Sequence, residues 1–66
     1  MYRVYYFINS YPHRFNFDFA ASWVAINKAR SIFQILGYAS EVMDVSTGEI
    51  VAIFDSKKNW IADDAI

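Results

Sequence analysis

The chain has 66 residues, no cysteine, one histidine and a formal charge of −1 from six basic and seven acidic residues. That length makes one domain, residues 1–66, with a thin core, and the missing thiols exclude disulfides while His13 alone cannot assemble a zinc site. The near-zero charge argues against duplex DNA held by counterion release, and a chain that is 56% hydrophobic and 20% aromatic has more apolar surface than one small core hides, which points to self-association.

In chain order, residues 2–9 (Tyr-Arg-Val-Tyr-Tyr-Phe-Ile-Asn) are aromatic and β-branched and predict a first strand. Alternation puts Tyr2, Val4, Tyr6 and Ile8 on one face, and Arg3, Tyr5, Phe7 and Asn9 on the other. Both faces are apolar at their centre, so the strand is either covered twice or lies in an interface. Ser10 to Asn16 reads as a loop broken by Pro12. Phe17 is expected to turn inward against the helix entrance, with Tyr11 and Arg14 outward.

Asp18 to Gly37 predicts one long amphipathic helix over 18–36. Asp18 supplies a capping side chain, four alanines favour the helix, and Gly37 suits a left-handed C-terminal cap. At 100° per residue, Ser22, Ala25, Ile26, Ala29, Ile32, Phe33 and Leu36 share one face. Val24 and Ile35 fall on the wet side, as stray apolar residues or as a second contact surface on the back of the helix.

Residues 38–46 predict a more polar second strand, and Ser46-Thr47-Gly48-Glu49 a hairpin turn with glycine at a positive φ. Residues 49–55, nearly continuous in apolar side chains, predict a central third strand. Ser56 to Asn59 makes a turn, and the tail from about residue 60 has no fixed form, a short helix suiting its paired aspartates. The Asp-x-x-Thr-Gly-Glu turn at Asp44–Glu49, set in a strand-helix-hairpin order, is similar to turns in many compact proteins of bacteria and their phages. Hairpin geometry accounts for it, and no functional residue carries over.

The expected fold is α+β, in the order β-α-β-β. One long helix packs on one face of a three-stranded, mainly antiparallel sheet of order 1-3-2. A sheet of order 1-2-3, with the first two strands parallel through a right-handed crossover, is the alternative. The expected core is Val4, Tyr6, Ile8, Ile26, Ala29, Phe33, Leu36, Met43, Val45, Ile50, Ala52 and Phe54. Tyr5, Phe7, Val51 and Ile53 then lie on an uncovered face.

No catalytic, cofactor or metal site is expected. There is no thiol, no serine signature around His13 and no phosphate-cradling glycine loop. Asp44 and Asp55 suit turn and edge roles as well as they suit a carboxylate pair. The expected function is a non-enzymatic protein-interaction module that pairs with itself. A small phage-type protein that binds and inhibits a host protein is one form of this reading. The expected contact residues are Tyr11, His13 and Arg14 in the loop, with Tyr5 and Phe7 on the sheet; hot spots favour tyrosine and arginine. The bland counterpart is that His13 stacks on Tyr11 or Phe15 and Arg14 is solvated. The alternative is single-stranded nucleic-acid binding through Arg3, Tyr5, Phe7, Lys57, Lys58 and Trp60, since aromatic sheet faces stack bases. No apolar run reaches the ~20 residues of a membrane span and no signal peptide is visible, so a cytoplasmic protein without a membrane partner is expected.

Overall fold

In the computed structural model, which describes residues 1–65, a five-stranded antiparallel sheet carries one short helix. Its elements are β1 (Tyr2–Ile8), β2 (Tyr11–Arg14), α1 (Ser22–Ser31), β3 (Ser40–Asp44), β4 (Ile50–Phe54) and β5 (Asn59–Ile61). A wide π-type turn at Ile32–Leu36 continues α1, and a 3-10 turn at Asp63–Ala65 follows β5. The spatial order is β2-β1-β3-β4-β5. This corrects the expected fold in three respects: the sheet has five strands rather than three, its order is not 1-3-2, and the helix does not run over 18–36. The expected tail from residue 60 becomes β5 and the 3-10 turn, while Ile66 lies outside the described residues.

The strand absent from the expectation explains the wrong order. Asn9 and Ser10 take positive φ values of 51° and 69°, as a type I′ turn requires at both central positions. They fold residues 11–14 back on β1, with Ile8 opposite Tyr11 and Tyr5 opposite Arg14. Each element that traverses the sheet reverses the chain. With β2 and the helix both between them, β3 returns antiparallel to β1 and pairs with it directly, Val4 opposite Val42. With a helix alone it would run parallel, and a fully antiparallel sheet would need the order 1-3-2. Pro12 sits in β2 opposite Phe7, where its missing N–H faces the open edge.

The helix starts late because its expected first turn is held elsewhere. Phe19 bridges Tyr2 through N–H···O bonds of 2.7 and 2.8 Å, and Phe15 N–H reaches the Val4 carbonyl at 2.9 Å. Residues 15–19 therefore hook along β1. Asp18 pairs with Arg3 rather than capping the helix, which has no side-chain cap. At the other end Gly37 adopts φ 76° and its N–H returns to the Phe33 carbonyl at 3.0 Å, as its place after the last apolar residue implied.

The core lies between α1 and one sheet face: Val4, Phe19, Ala25, Ile26, Ala29, Ile32, Val42, Ala52, Phe54 and Ala65. The phase of β3 is opposite to the expected one. Ser40 and Val42 point inward, so Met43 lies on the far face rather than in the core. Ser40 tolerates burial because its hydroxyl donates to the Ala29 carbonyl at 2.6 Å. A bulge pairs Met43 with Ile50 instead of Val51, and Val51 turns to pack on the core instead of lying uncovered. Leu36 is 60% exposed. The wide turn advances each residue by less than the α-helical 100°, which swings Leu36 off the core face.

Candidate interaction surface

A five-stranded sheet is about 24 Å across, and a helix about 10 Å wide covers two strands of it. Here α1 lies mainly over β1 and β3. Two apolar surfaces follow, one on the opposite face of the sheet and one on the flank beside the helix.

No described element covers the opposite face. It presents Arg3, Tyr5 and Phe7 from β1, Glu41 and Met43 from β3, Ile53 from β4 and Trp60 from β5. The register sets one straight row across all five strands: Arg14, Tyr5, Glu41, Ile53, Trp60. A shallow cleft of about 450 Å³ opens at one end of this face, between Phe7, Glu41, Ile53 and Asp55.

Charge on the face is arranged around Asp18. Arg3 donates to both of its carboxylate oxygens, Nε and Nη2 each at 3.0 Å. That bidentate contact holds the Asp18 carboxyl below the usual aspartate range, and the same contact, then the Tyr5 hydroxyl, holds the Arg3 guanidinium above its own. Arg14 reaches Asp18 only at 3.6 Å, and its side chain is 53% exposed. Glu41 stands between Tyr5 and Ile53 with no hydrogen-bond or ion-pair partner among the described residues, and burial pushes its carboxyl up. Sequence reasoning missed Glu41 because a glutamate in an edge strand is ordinary; the burial of Val42 beside it, once known, marks it as facing out.

On the flank, Tyr6 stacks between His13 and Tyr38, with ring centroids at 5.4 and 6.2 Å. His13 therefore does stack, but on neither Tyr11 nor Phe15. Next to it, Tyr6, Ile8, Phe15, Ile32, Leu36 and Tyr38 line a hollow of about 240 Å³. Ile35, 79% exposed, stands beside it. Phe15, Phe17 and Phe19 form an aromatic cluster with centroids 5.0–5.7 Å apart. Its outermost ring is Phe17, 56% exposed, so the expected inward plug is formed by Phe15 and Phe19 instead.

The expected contact residues divide between the two surfaces. Tyr5, Phe7 and Arg14 gather on the open face, while Tyr11 and His13 belong to the flank. Of the residues named for nucleic acid, Arg3, Tyr5, Phe7 and Trp60 share the open face, and Lys57 and Lys58 lie in the β4–β5 turn. Arg3 is paired with Asp18, and Lys58 lies over the Trp60 ring at 5.6 Å. Lys28 and Arg30 likewise lie over Phe15 and Phe54 at 5.3 and 5.5 Å. Asp44 and Asp55 do not meet. They sit at opposite ends of the β3–β4 hairpin, Asp44 accepting from Ser46 and Asp55 from the Lys57 and Lys58 amides. Among the described residues no group of three or more histidine or acidic side chains is placed to hold a metal ion, and no helix is long and apolar enough to cross a membrane.

Comparison of the chain with protein-family models, with curated proteins and with solved structures gives no significant match.

Proposed function

We propose that the protein is a non-enzymatic protein-interaction module that pairs with itself through the open face of its sheet. The observation that supports this reading is the gathering of Tyr5, Phe7, Met43, Ile53 and Trp60 on one five-stranded face that no described element covers. Leaving such a patch in water forgoes burial free energy, and a second protein surface recovers it over the part it covers, Tyr5, Phe7 and Met43 on β1 and β3. Arg3, neutralised by Asp18, and the Glu41 carboxylate on the same face, unpaired among the described residues, fit a protein partner better than a polyanion. Sedimentation equilibrium from low micromolar to millimolar concentration tests the proposal: a reversible monomer–dimer equilibrium is expected, and a strict monomer throughout overturns it.

A second reading is single-stranded nucleic acid, supported by Lys58 beside Trp60 at the rim of the same face. Stacking contributes about 1–3 kcal/mol per base at such sites, but Glu41 at the centre of the face repels a phosphate backbone. Fluorescence anisotropy with labelled oligonucleotides at low salt discriminates: a saturable rise that Tyr5→Ala or Phe7→Ala abolishes would favour this reading over the first.

A further inference from the structure

We infer that two copies meet face to face about a two-fold axis parallel to β1 and passing over Tyr5, so that Arg14 of each copy meets Glu41 of the other. This rests on the self-association proposed above and gives the partner an identity, a second copy of this chain, and an orientation.

The register carries it. Arg14, Tyr5 and Glu41 stand side by side on β2, β1 and β3, so the cation and the carboxylate flank Tyr5 at about one strand spacing, ~4.8 Å, on either side. An axis lying between the two faces and parallel to the strands exchanges left with right and keeps height along the strand. It therefore sets Arg14 on Glu41 twice, and Tyr5 on its own symmetry mate, where offset aromatic stacking is favourable. An axis along the row instead keeps left and right, bringing Arg14 onto Arg14 and Glu41 onto Glu41, which like-charge repulsion disfavours.

Both charges are available for this use. Asp18 is already gripped by Arg3 through both oxygens at 3.0 Å, so Arg14, at 3.6 Å and 53% exposed, gives up little by turning outward. Glu41, half-buried on an apolar face and without a partner among the described residues, gains a counter-charge. Sheets stacked face to face lie about 10 Å apart with strands crossing at about −30°, within reach of an arginine and a glutamate from opposite sides. The overlap is three strands, about 14 Å wide, with β4 and β5 of each copy extending beyond it. An interface of that width belongs to the weak, exchanging class.

The test is a charge exchange read by sedimentation equilibrium, with melting curves to establish that each variant folds. Arg14→Glu and Glu41→Arg, each alone, should raise the dimer dissociation constant about tenfold or more, and the double exchange should restore it to within about threefold of the wild type. A second measurement leaves the contact untouched. Because the chain has no cysteine, Trp60→Cys carries a single spin label. The inferred axis separates the two labels by six strand spacings, about 29 Å, whereas an axis along the row brings them to about the sheet separation, ~10 Å. A wild-type dimer indifferent to the exchanges, or labels at the short distance, overturns the axis and leaves self-association standing. A wild-type monomer at every concentration overturns both.

Discussion

Removing one oxygen tests how the sheet holds its helix. Ser40 is 1% exposed, and its hydroxyl donates to the Ala29 carbonyl at 2.6 Å, where α1 gives way to the wide turn. In Ser40→Ala that carbonyl is not orphaned, because the Ile32 N–H still approaches it. The loss is then the net worth of one hydrogen bond, about 1 kcal/mol, rather than the larger penalty of an unsatisfied buried acceptor. A void the size of one oxygen adds little. For a domain of this length about 1 kcal/mol lowers the melting temperature by roughly 4–8 °C. Ser40→Val should cost more, since its extra methyls enter a closed site and overpacking adds about 1–3 kcal/mol. Urea and thermal unfolding are followed by circular dichroism at a concentration where the protein is monomeric, so that dimer dissociation does not enter the balance. Hydrogen exchange at Ile32–Leu36 should quicken in parallel. An Ser40→Ala variant as stable as the wild type would show that the hydroxyl contributes no net anchoring, and the reasoning would fail.

Ser10 holds φ 69° without being glycine, so Ser10→Gly should raise stability by about 0.5 kcal/mol, the relief of a left-handed residue less the added freedom of the unfolded chain; a lower urea midpoint would refute the turn assignment. At Gly48, φ is +76° and nothing lies within 4 Å of an added Cβ. L-Ala there should cost about 1 kcal/mol through the backbone alone, while D-Ala introduced by synthesis should stabilise; equal effects of the two enantiomers would rule the account out. Two carboxylates should respond to acid with opposite signs. Asp18 is held below its ordinary value by Arg3, so its contribution is complete above that ordinary value and is lost as pH falls through the depressed one; Asp18→Asn should melt earlier at neutral pH, with the gap closing in strong acid. Glu41 is raised by burial, so its ionised form weakens the monomer above the raised value and the weakening disappears as pH falls to the ordinary glutamate value. Glu41→Gln should therefore melt later than the wild type at neutral pH and match it in acid, and a variant that melts earlier would contradict the sign.

Local signals were legible where one residue type has one physical use. Gly37 and Gly48 marked positions of positive φ, and the alternation of residues 2–8 separated Val4 from Tyr5 and Phe7. Signals that depend on a distant partner were not. Asp18 has the chemistry of a helix cap and is taken by Arg3 instead, fifteen residues earlier in the chain. Ser40 looks solvent-facing until a helix carbonyl is brought to it, and with it the whole phase of β3 is misread. The Asn9-Ser10 turn lacks the glycine that announces a type I′ hairpin, and Pro12 weakens the case for a strand after it, so residues 11–14 read as a loop. That single omission changed the direction in which the chain re-enters the sheet, and the strand order with it. It also hid the candidate site: without β2, Arg14 has no place on the row that holds Tyr5 and Glu41.

Pro12 has a consequence at the scale of assemblies. The sheet ends on one side in β2, four residues long with no amide hydrogen at Pro12, and on the other in β5, only three residues long. A further strand added at either edge finds few partners, and an edge that does recruit a copy presents a fresh edge for the next, so growth of that kind has no natural stop and ends in fibres. Contact through the faces about a two-fold axis occupies β2, β1 and β3 of both copies at once and presents no fresh copy of the same site. The aromatic face of the sheet can therefore take a neighbour without the hazard of indefinite polymerisation, because pairing about a two-fold axis limits its occupancy to a single copy.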